Sequence, residues 1–582
     1  MVCRGQPVKI HVCKTLLTLW LSCLVVSEIQ ADVTISGIKD EAKDNVKLML
    51  ALQKLPCDTP KWKIQGLFDK SDQEIDRALR ALGYYHAVIK EALTFNKSCW
   101  LGDFNINPGT RVTVNKVDLE INGEARAALD VSALLKKFPL HVGSPLHHGQ
   151  YESMKRRIES LAVENGFITG RFTEAKLYIN KQDNTAQIKL VYDSGQRMVF
   201  GDVALQQDML DDDYVRKYLT VKSGATYSSE ELAKTHTALS QSGYFESVDI
   251  RSGLDNIKDN KVSVTIVLTP KKKVHYGFGV GFDTDIGPLL SFSYINRRIN
   301  PQGHFFTANL DLSPVLSTAE AIYNIPLEKP ATDLLTFGGG LKREDTKTFK
   351  SFSATLSARH KHAYANGWRQ TLFLDYSYED YTTDSDSGQK FLLIPGASWL
   401  RAVSNNPIRP TKGYRIEFEA KGSVENPISN VSFLEGYLSA IWLHETPFGG
   451  LFIGRTLQGA TLIDQITQLP ASYRFYAGGI NSVRGYGYKE LGPKDSTGHV
   501  EGGKFLSVVS AEYEQAVLDN WAIATFVDTG NAFNLDDVQF KTGVGLGIRW
   551  YSPVGPIRLD FAVPLDESDS SFQIHFAAGG RI

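Results

Sequence analysis

The chain carries 63 Lys and Arg against 65 Asp and Glu over 582 residues, a formal net charge of −2 that offers no electrostatic reason for a nucleic-acid partner. Apolar residues make up an ordinary 42%, and beyond residue 31 no apolar run approaches the roughly 18 residues of a membrane-spanning helix. That excludes helical spans and leaves a β-barrel untouched, because strands facing lipid on one side alternate apolar with polar residues.

Lys9 and Lys14 stand ahead of an apolar run from Leu16 to Val26, followed by Ser27-Glu-Ile-Gln-Ala31 before Asp32. The charged start, short apolar stretch and small final residue predict a signal peptide over residues 1–31, and with it export to an oxidising compartment. Cys3, Cys13 and Cys23 leave with that peptide, so Cys57 and Cys99 remain. One disulfide between them across the first domain is the economical inference, with two separate buried thiols as the alternative. No C-x-x-C pair occurs, which leaves zinc and thioredoxin-like sites without support.

Residues 32–272 repeat one pattern, in which an amphipathic helix ends at a Gly-aromatic pair and passes into a strand. The pairs are Gly83-Tyr84, Gly166-Phe167 and Gly243-Tyr244, and each glycine suits the position just past a helix C-terminus. Ser71-x-x-Glu74 and Ser228-x-x-Glu231 predict capping boxes ahead of the first and third. Ile75, Ala78, Leu79 and Leu82 share one helical face, as do Tyr151, Met154, Ile158 and Leu161. The order strand, helix, helix, strand, strand and the Gly-aromatic junction resemble POTRA domains (polypeptide-transport-associated modules), over residues 32–109, 110–195 and 196–272. The resemblance implies three α+β units, each a small sheet with two helices on one face and an edge strand able to add a β-segment from a partner. His141, His147 and His148 lie close together, but no carboxylate or thiolate sits at ligand spacing. They are expected on a solvated loop, and no metal site is expected.

From Lys271 onward the helical period gives way to strict alternation. Phe306, Ala308, Leu310 and Leu312 oppose Thr307, Asn309 and Asp311; Tyr414, Ile416, Phe418 and Ala420 oppose Arg415, Glu417, Glu419 and Lys421; Ile557, Leu559, Phe561 and Val563 oppose Arg558 and Asp560. Aromatics recur near strand ends, as at Phe305, Tyr376, Tyr414 and Trp550, where interfacial girdles lie. An exported chain of this kind closes most simply into a transmembrane antiparallel β-barrel over residues 273–582, because closure satisfies edges that lipid cannot. At about 19 residues per strand and connection the segment accommodates about 16 strands.

Within that series lies Phe475-Tyr-Ala-Gly-Gly-Ile-Asn-Ser-Val-Arg-Gly-Tyr-Gly-Tyr488, four glycines and four aromatics around the single cation Arg484. A loop that merely turned in water would need few of those aromatics; an exposed glycine-rich loop with a solvated arginine is the alternative. There is no Gly-x-Ser-x-Gly elbow, H-E-x-x-H pair or Walker loop, so no enzyme and no cofactor are expected.

Three POTRA-like units before such a barrel resemble the BamA/TamA superfamily of outer-membrane assembly and secretion factors. The motifs that carry the resemblance are Gly478-Gly-x-x-x-Val-Arg-Gly-Tyr486 in the loop, Phe526-Val-Asp-Thr-Gly530 in a following strand, and Gly545-Leu-Gly-Ile-Arg-Trp-Tyr-Ser-Pro553 with Pro556-Ile-Arg-Leu-Asp560-Phe near the end. It implies a bacterial outer-membrane location in contact with lipid, with the POTRA domains in the periplasm. Three units are similar to the TamA branch, which implies insertion and translocation of autotransporter-type β-barrel clients and a TamB-type inner-membrane-anchored partner at the first POTRA domain. The alternative is a two-partner-type transporter that exports a dedicated exoprotein through the lumen.

In that family the loop folds back into the barrel, which places Gly478, Gly479, Val483, Arg484, Gly485 and Tyr486 at the inner wall, with Asp528 and Glu512 as the carboxylates that meet Arg484. A guanidinium held away from bulk water must be paired, and its planar fork suits carboxylates. Such a pair serves barrel stability, gating, or both. The resemblance also implies a weak lateral seam between the first and last strands, Val274–Phe282 against Phe572–Ile582, marked by Gly277, Gly279, Gly281, Phe572, Ile574, Phe576, Gly579 and Gly580. Its glycines either weaken the strands or make room for curvature.

Overall fold

The structure is a computed structural model that describes residues 32–96, 99–128, 130–553, 555–567 and 572–578. The expected signal peptide over residues 1–31 and the expected seam residues Gly579 and Gly580 lie outside the described residues. Two compact units result, one containing the first two small sheets, the other the third sheet and the barrel.

In each small domain the strand that comes last in the chain takes the centre of the sheet, parallel to the first strand and antiparallel to the second. The strands are Asp32–Ser36, Val88–Phe95 and Trp100–Asn107; Thr113–Asn122, Arg171–Asn180 and Thr185–Asp193; and Val199–Gln206, Phe245–Ser252 and Lys261–Pro270. Burial explains the order, since a central strand needs an apolar face. Trp100, Phe104 and Ile106 are buried with Val46, Ile64, Ile75 and Leu79 from the helices Asp40–Met49, Lys61–Phe68 and Ser71–Arg80. Gly83, Gly166 and Gly243 take φ of +91°, +90° and +85°, the left-handed turn that glycine makes without strain. A disulfide joins Cys57 to Cys99.

Two local expectations give way to tertiary contacts. The first capping box is not formed: Lys70 is the N-cap, Ser71 donates to the Phe68 carbonyl and to Glu91, and Glu74 accepts from the Ala51 amide. His147 and His148 do not lie on a solvated loop. His147 caps the helix His148–Glu164, accepting from the Gln150 amide, and meets Glu41 of the first domain at 2.9 Å; Nε2 of His148 lies 2.7 Å from the Tyr85 hydroxyl. Both therefore serve the joint between the first two domains.

The barrel strands are β1 (Val274–Asp283), β2 (Gly287–Asn296), β3 (Phe305–Leu312), β4 (Leu316–Pro326), β5 (Asp333–Asp345) and β6 (Phe349–Ala363). They continue with β7 (Arg369–Thr383), β8 (Ser387–Ser404), β9 (Gly413–Ser423), β10 (Phe433–Glu445) and β11 (Gly450–Leu462). After a long loop come β12 (Phe505–Leu518), β13 (Trp521–Phe533), β14 (Lys541–Ser552), β15 (Gly555–Pro564) and β16 (Gln573–Ala578), and the 16 antiparallel strands close. Period-2 alternation sets which side chains line the lumen: along β13 every second residue from Ala522 to Gly530 is buried, Asp528 among them. The third small domain grips the β2–β3 turn. Tyr214 lies 2.9 Å from the hydroxyl of Tyr218 and 3.0 Å from that of Tyr244, and Tyr244 donates to the Gly303 carbonyl. Burial pushes all three phenols above their usual range, which keeps them protonated as donors.

Candidate functional site: the lumenal loop and the seam

The loop between β11 and β12, residues 463–504, is held on both sides of the barrel. On one side Arg474 reaches Asp386 in the β7–β8 turn at 2.5 Å, the Ser472 amide donates to Glu379 on β7, and Lys489 meets Glu344 on β5 at 2.5 Å. On the other side its tip lies against β12–β16. Gly478 and Gly479 take φ of +97° and +100°, and Gly485 +94°, so the chain doubles back and the Gly479 amide donates to the Tyr486 carbonyl. Val483 and Tyr486 bury into an apolar cluster with Phe475, Ala477, Leu506 and Val508. The Tyr486 hydroxyl lies 3.3 Å from Asp566, and burial followed by that carboxylate pushes it up to about 12.

Between those two apolar anchors Arg484 is fully buried. Its Nε and Nη2 form a fork on Asp528 at 2.6 and 2.9 Å, its Nη1 donates to Glu512 at 2.8 Å and to Asp560 at 3.1 Å, and its backbone amide adds a bond to Asp528 at 3.1 Å. The guanidinium also lies over the Phe526 ring, 3.4 Å from its centroid. Arg549, equally buried, ties Glu512 at 2.8 Å, Glu514 at 2.8 Å and Asp560 at 2.6 Å into the same cluster, and Arg455 stands 3.8 Å from Asp528. Burial alone would lower the Arg484 pKa; the bond from Asp528 and the charges of Glu512 and Asp560 raise it above its ordinary value, so the charge is fixed.

The wall is shaped to receive this tip. A Cβ on Gly543 of β14 would lie 1.8 Å from the Arg484 carbonyl oxygen, and one on Gly547 would lie 1.9 Å from Asp560 Oδ1. Strand parity aims the carboxylates: Ser510, Glu512 and Glu514 follow one another at alternate positions on the inner face of β12.

The same tip borders the seam. Among the described residues β1 pairs with β16 at one position, Asp283 opposite Ala577, whereas β1 pairs with β2 along its whole length. The Thr284 amide adds a bond to the Phe576 carbonyl, and the Phe576 amide one to Thr284 Oγ1, each 3.1 Å. The paired position is one residue past the expected span of β1, and any pairing of Gly277, Gly279 and Gly281 with the last strand lies outside the described residues. Among the described residues a Cβ on Gly281 would meet nothing closer than Leu289 at 3.9 Å and one on Gly279 nothing closer than Ser291 at 3.4 Å, whereas one on Gly277 would lie 2.4 Å from Ser293 Oγ. Between them Phe278 and Val280 stand 80% and 88% exposed on the outer face, as Phe572 and Ile574 are across the seam, while the Phe282 and Phe576 rings meet at 5.9 Å.

Asp560 and Arg549 join the site without being singled out in the sequence as partners of Arg484. Both lie in the quoted motifs, and alternation already placed Asp560 inward. His575, on β16, carried no such signal; its Nε2 accepts from the Gly485 amide at 3.0 Å.

Comparison with known proteins adds three family matches: the Omp85 superfamily domain over residues 277–582, POTRA domain TamA domain 1 over 32–108, and the surface antigen variable number repeat, a POTRA family, over 198–271. The chain is 26% identical over 61% of its length to the outer membrane protein assembly factor BamA of Nitratidesulfovibrio vulgaris, and 21% identical over 79% to that of Neisseria meningitidis. It spans 47% and 65% of those two proteins. BamA from Haemophilus ducreyi lacking POTRA domains 1–3 shares the fold at a TM-score of 0.64 and 15% identity, over 81% of this chain and 100% of that one.

Proposed function

This chain belongs to the Omp85 superfamily, and on that premise we propose that it is a non-enzymatic outer-membrane assembly factor that inserts client β-strands through the seam between β1 and β16. The observation that carries the proposal is that β1 and β16 close the barrel edge to edge, with Asp283 opposite Ala577 and with Phe278 and Val280 of β1 exposed on the outer face. A strand edge that parts from its neighbour is a template for another strand. The exposed Phe278 and Val280 would place that template at the level of lipid.

The finer assignment is to the TamA branch, with autotransporter-type clients and a TamB-type partner at the first POTRA domain in the periplasm. It is supported by three POTRA-like sheets and by the match of residues 32–108 to a domain described for TamA. Export of an exoprotein through the lumen is disfavoured by a loop tied to β5 and β7 on one side and to β12, β13 and β15 on the other. The test is reconstitution of the full chain in liposomes with an unfolded autotransporter β-domain. Faster insertion than into empty liposomes is expected, and insertion at the empty-liposome rate contradicts the proposal.

A further inference from the structure

The tip of the lumenal loop touches both sides of the seam. Its anchor is on the side of the last strands, where Arg484 is held by carboxylates of β12, β13 and β15 and the Gly485 amide donates to His575 on β16. Five residues earlier in the chain the same tip reaches the first hairpin: the Ile480 amide donates to Oδ2 of Asp285, in the β1–β2 turn, at 2.9 Å. Because His575 accepts through Nε2, its proton sits on Nδ1, which lies 4.0 Å from Oδ1 of Asp285. Gly479 is packed so tightly here that a Cβ would lie 2.5 Å from Asp285 Oδ2. The other charged or titratable groups facing this carboxyl are Asp283 in its own hairpin, Arg558 on β15 and Tyr488 in the loop. Burial pushes Asp285 up to about 7, as suits a carboxyl roofed over by the tip.

We propose that the loop tip is a strap across the seam: fixed to the last strands through Arg484 and His575, it holds the first hairpin through Asp285, so the seam parts only when Ile480 releases Asp285. Its meaning for client entry rests on the assembly function proposed above. One bond to a carboxyl changes the balance between closed and open by about tenfold.

Amide hydrogen exchange of the full chain in lipid nanodiscs reads that balance, because the Phe576 amide is bonded across the seam. Asp285→Ala is expected to speed exchange at Phe576 about tenfold, and Asp285→Asn, which keeps an acceptor for the Ile480 amide, less than threefold. Gly479→Ala, which forces the tip off Asp285 while leaving the carboxyl in the chain, is expected to match Asp285→Ala. Heat-modifiable gel migration identifies folded barrels, and Gly479→Ala carries the test if Asp285→Ala does not fold. Unchanged exchange at Phe576, or equal acceleration by Ala and Asn, overturns the strap. Client insertion is measured separately on the same variants. A loosened seam with insertion no faster than into empty liposomes leaves the strap standing and overturns the assembly function; an unchanged seam with normal insertion does the reverse.

Discussion

Arg484→Ala removes the one cation that the loop tip delivers to the inner wall. Asp528 then loses a bidentate fork and a stacking cation over Phe526, while Glu512 and Asp560 keep Arg549. Asp528 is left without a close cation, with Ser510 and the backbone amide of residue 484 as donors and Arg455 at 3.8 Å. Stranding a buried charge in this way costs about 3–5 kcal/mol. The barrel is not expected to unfold, because the tip can detach and let water reach Asp528, so the cost appears as loop release. At about 1.4 kcal/mol per tenfold, release becomes two to three orders of magnitude more populated. A cysteine at Val483, fully buried beside the arginine, reports it: Val483→Cys is labelled slowly by a maleimide in the parent and at least a hundredfold faster with Arg484→Ala. Arg484→Lys falls between, since a single ammonium cannot reproduce the fork. Adding Asp528→Ala to Arg484→Ala removes the stranded charge and recovers part of the loss. Labelling of the Arg484→Ala protein at the parent rate, or additive effects of the two substitutions, contradicts this account of the tip.

The wall glycine makes a related test. Gly543→Ala puts a methyl 1.8 Å from the Arg484 carbonyl, so Val483→Cys labelling rises toward the Arg484→Ala rate while heat-modifiable migration stays that of a folded barrel; parent-rate labelling would show the tip seats elsewhere. In the joint between the first two domains, burial, and next to it His147, hold the His148 pKa below its ordinary 6.5. The folded joint thus favours the neutral ring, its stabilisation is complete above about pH 6.5, and it is lost as the pH falls below that. Protection factors around Tyr85, which correct exchange for its intrinsic pH dependence, fall between pH 7 and 5 in the parent and stay level in His148→Gln; an unaltered pH profile counts against the joint. Cys57 and Cys99 are separated by 42 positions, a loop whose closure is worth about 4 kcal/mol. Cys57→Ser with Cys99→Ser lowers the denaturant midpoint of the first domain accordingly, followed by fluorescence of Trp62 and Trp100.

The large divisions are legible because they are changes of period. Helical spacing at Ile75, Ala78 and Leu79 and alternation at Phe306, Ala308 and Leu310 each fix a face locally, and parity alone sends Asp528 and Glu512 inward. What parity cannot say is which inward charge meets which. Arg549 and Asp560 share that parity with many other lumenal residues, and their meeting with Arg484 depends on how a loop of some forty residues folds back into the lumen. The seam is illegible for a similar reason. The register of Asp283 on Ala577 joins strands some three hundred residues apart in the chain, so no local pattern sets it. Ser71 and Glu74 show the converse failure, a good local signal overruled because Glu91 and the Ala51 amide offered partners in the folded domain.

The central claim, that clients enter through the seam, is tested most directly by locking it. Asp283→Cys with Ala577→Cys places thiols on the residue pair that faces across β1 and β16, and the oxidised and reduced forms of the one protein are compared for insertion of an autotransporter β-domain in liposomes. The account predicts that the oxidised form inserts no faster than empty liposomes allow and that reduction restores the rate. Equal insertion by both forms would contradict it.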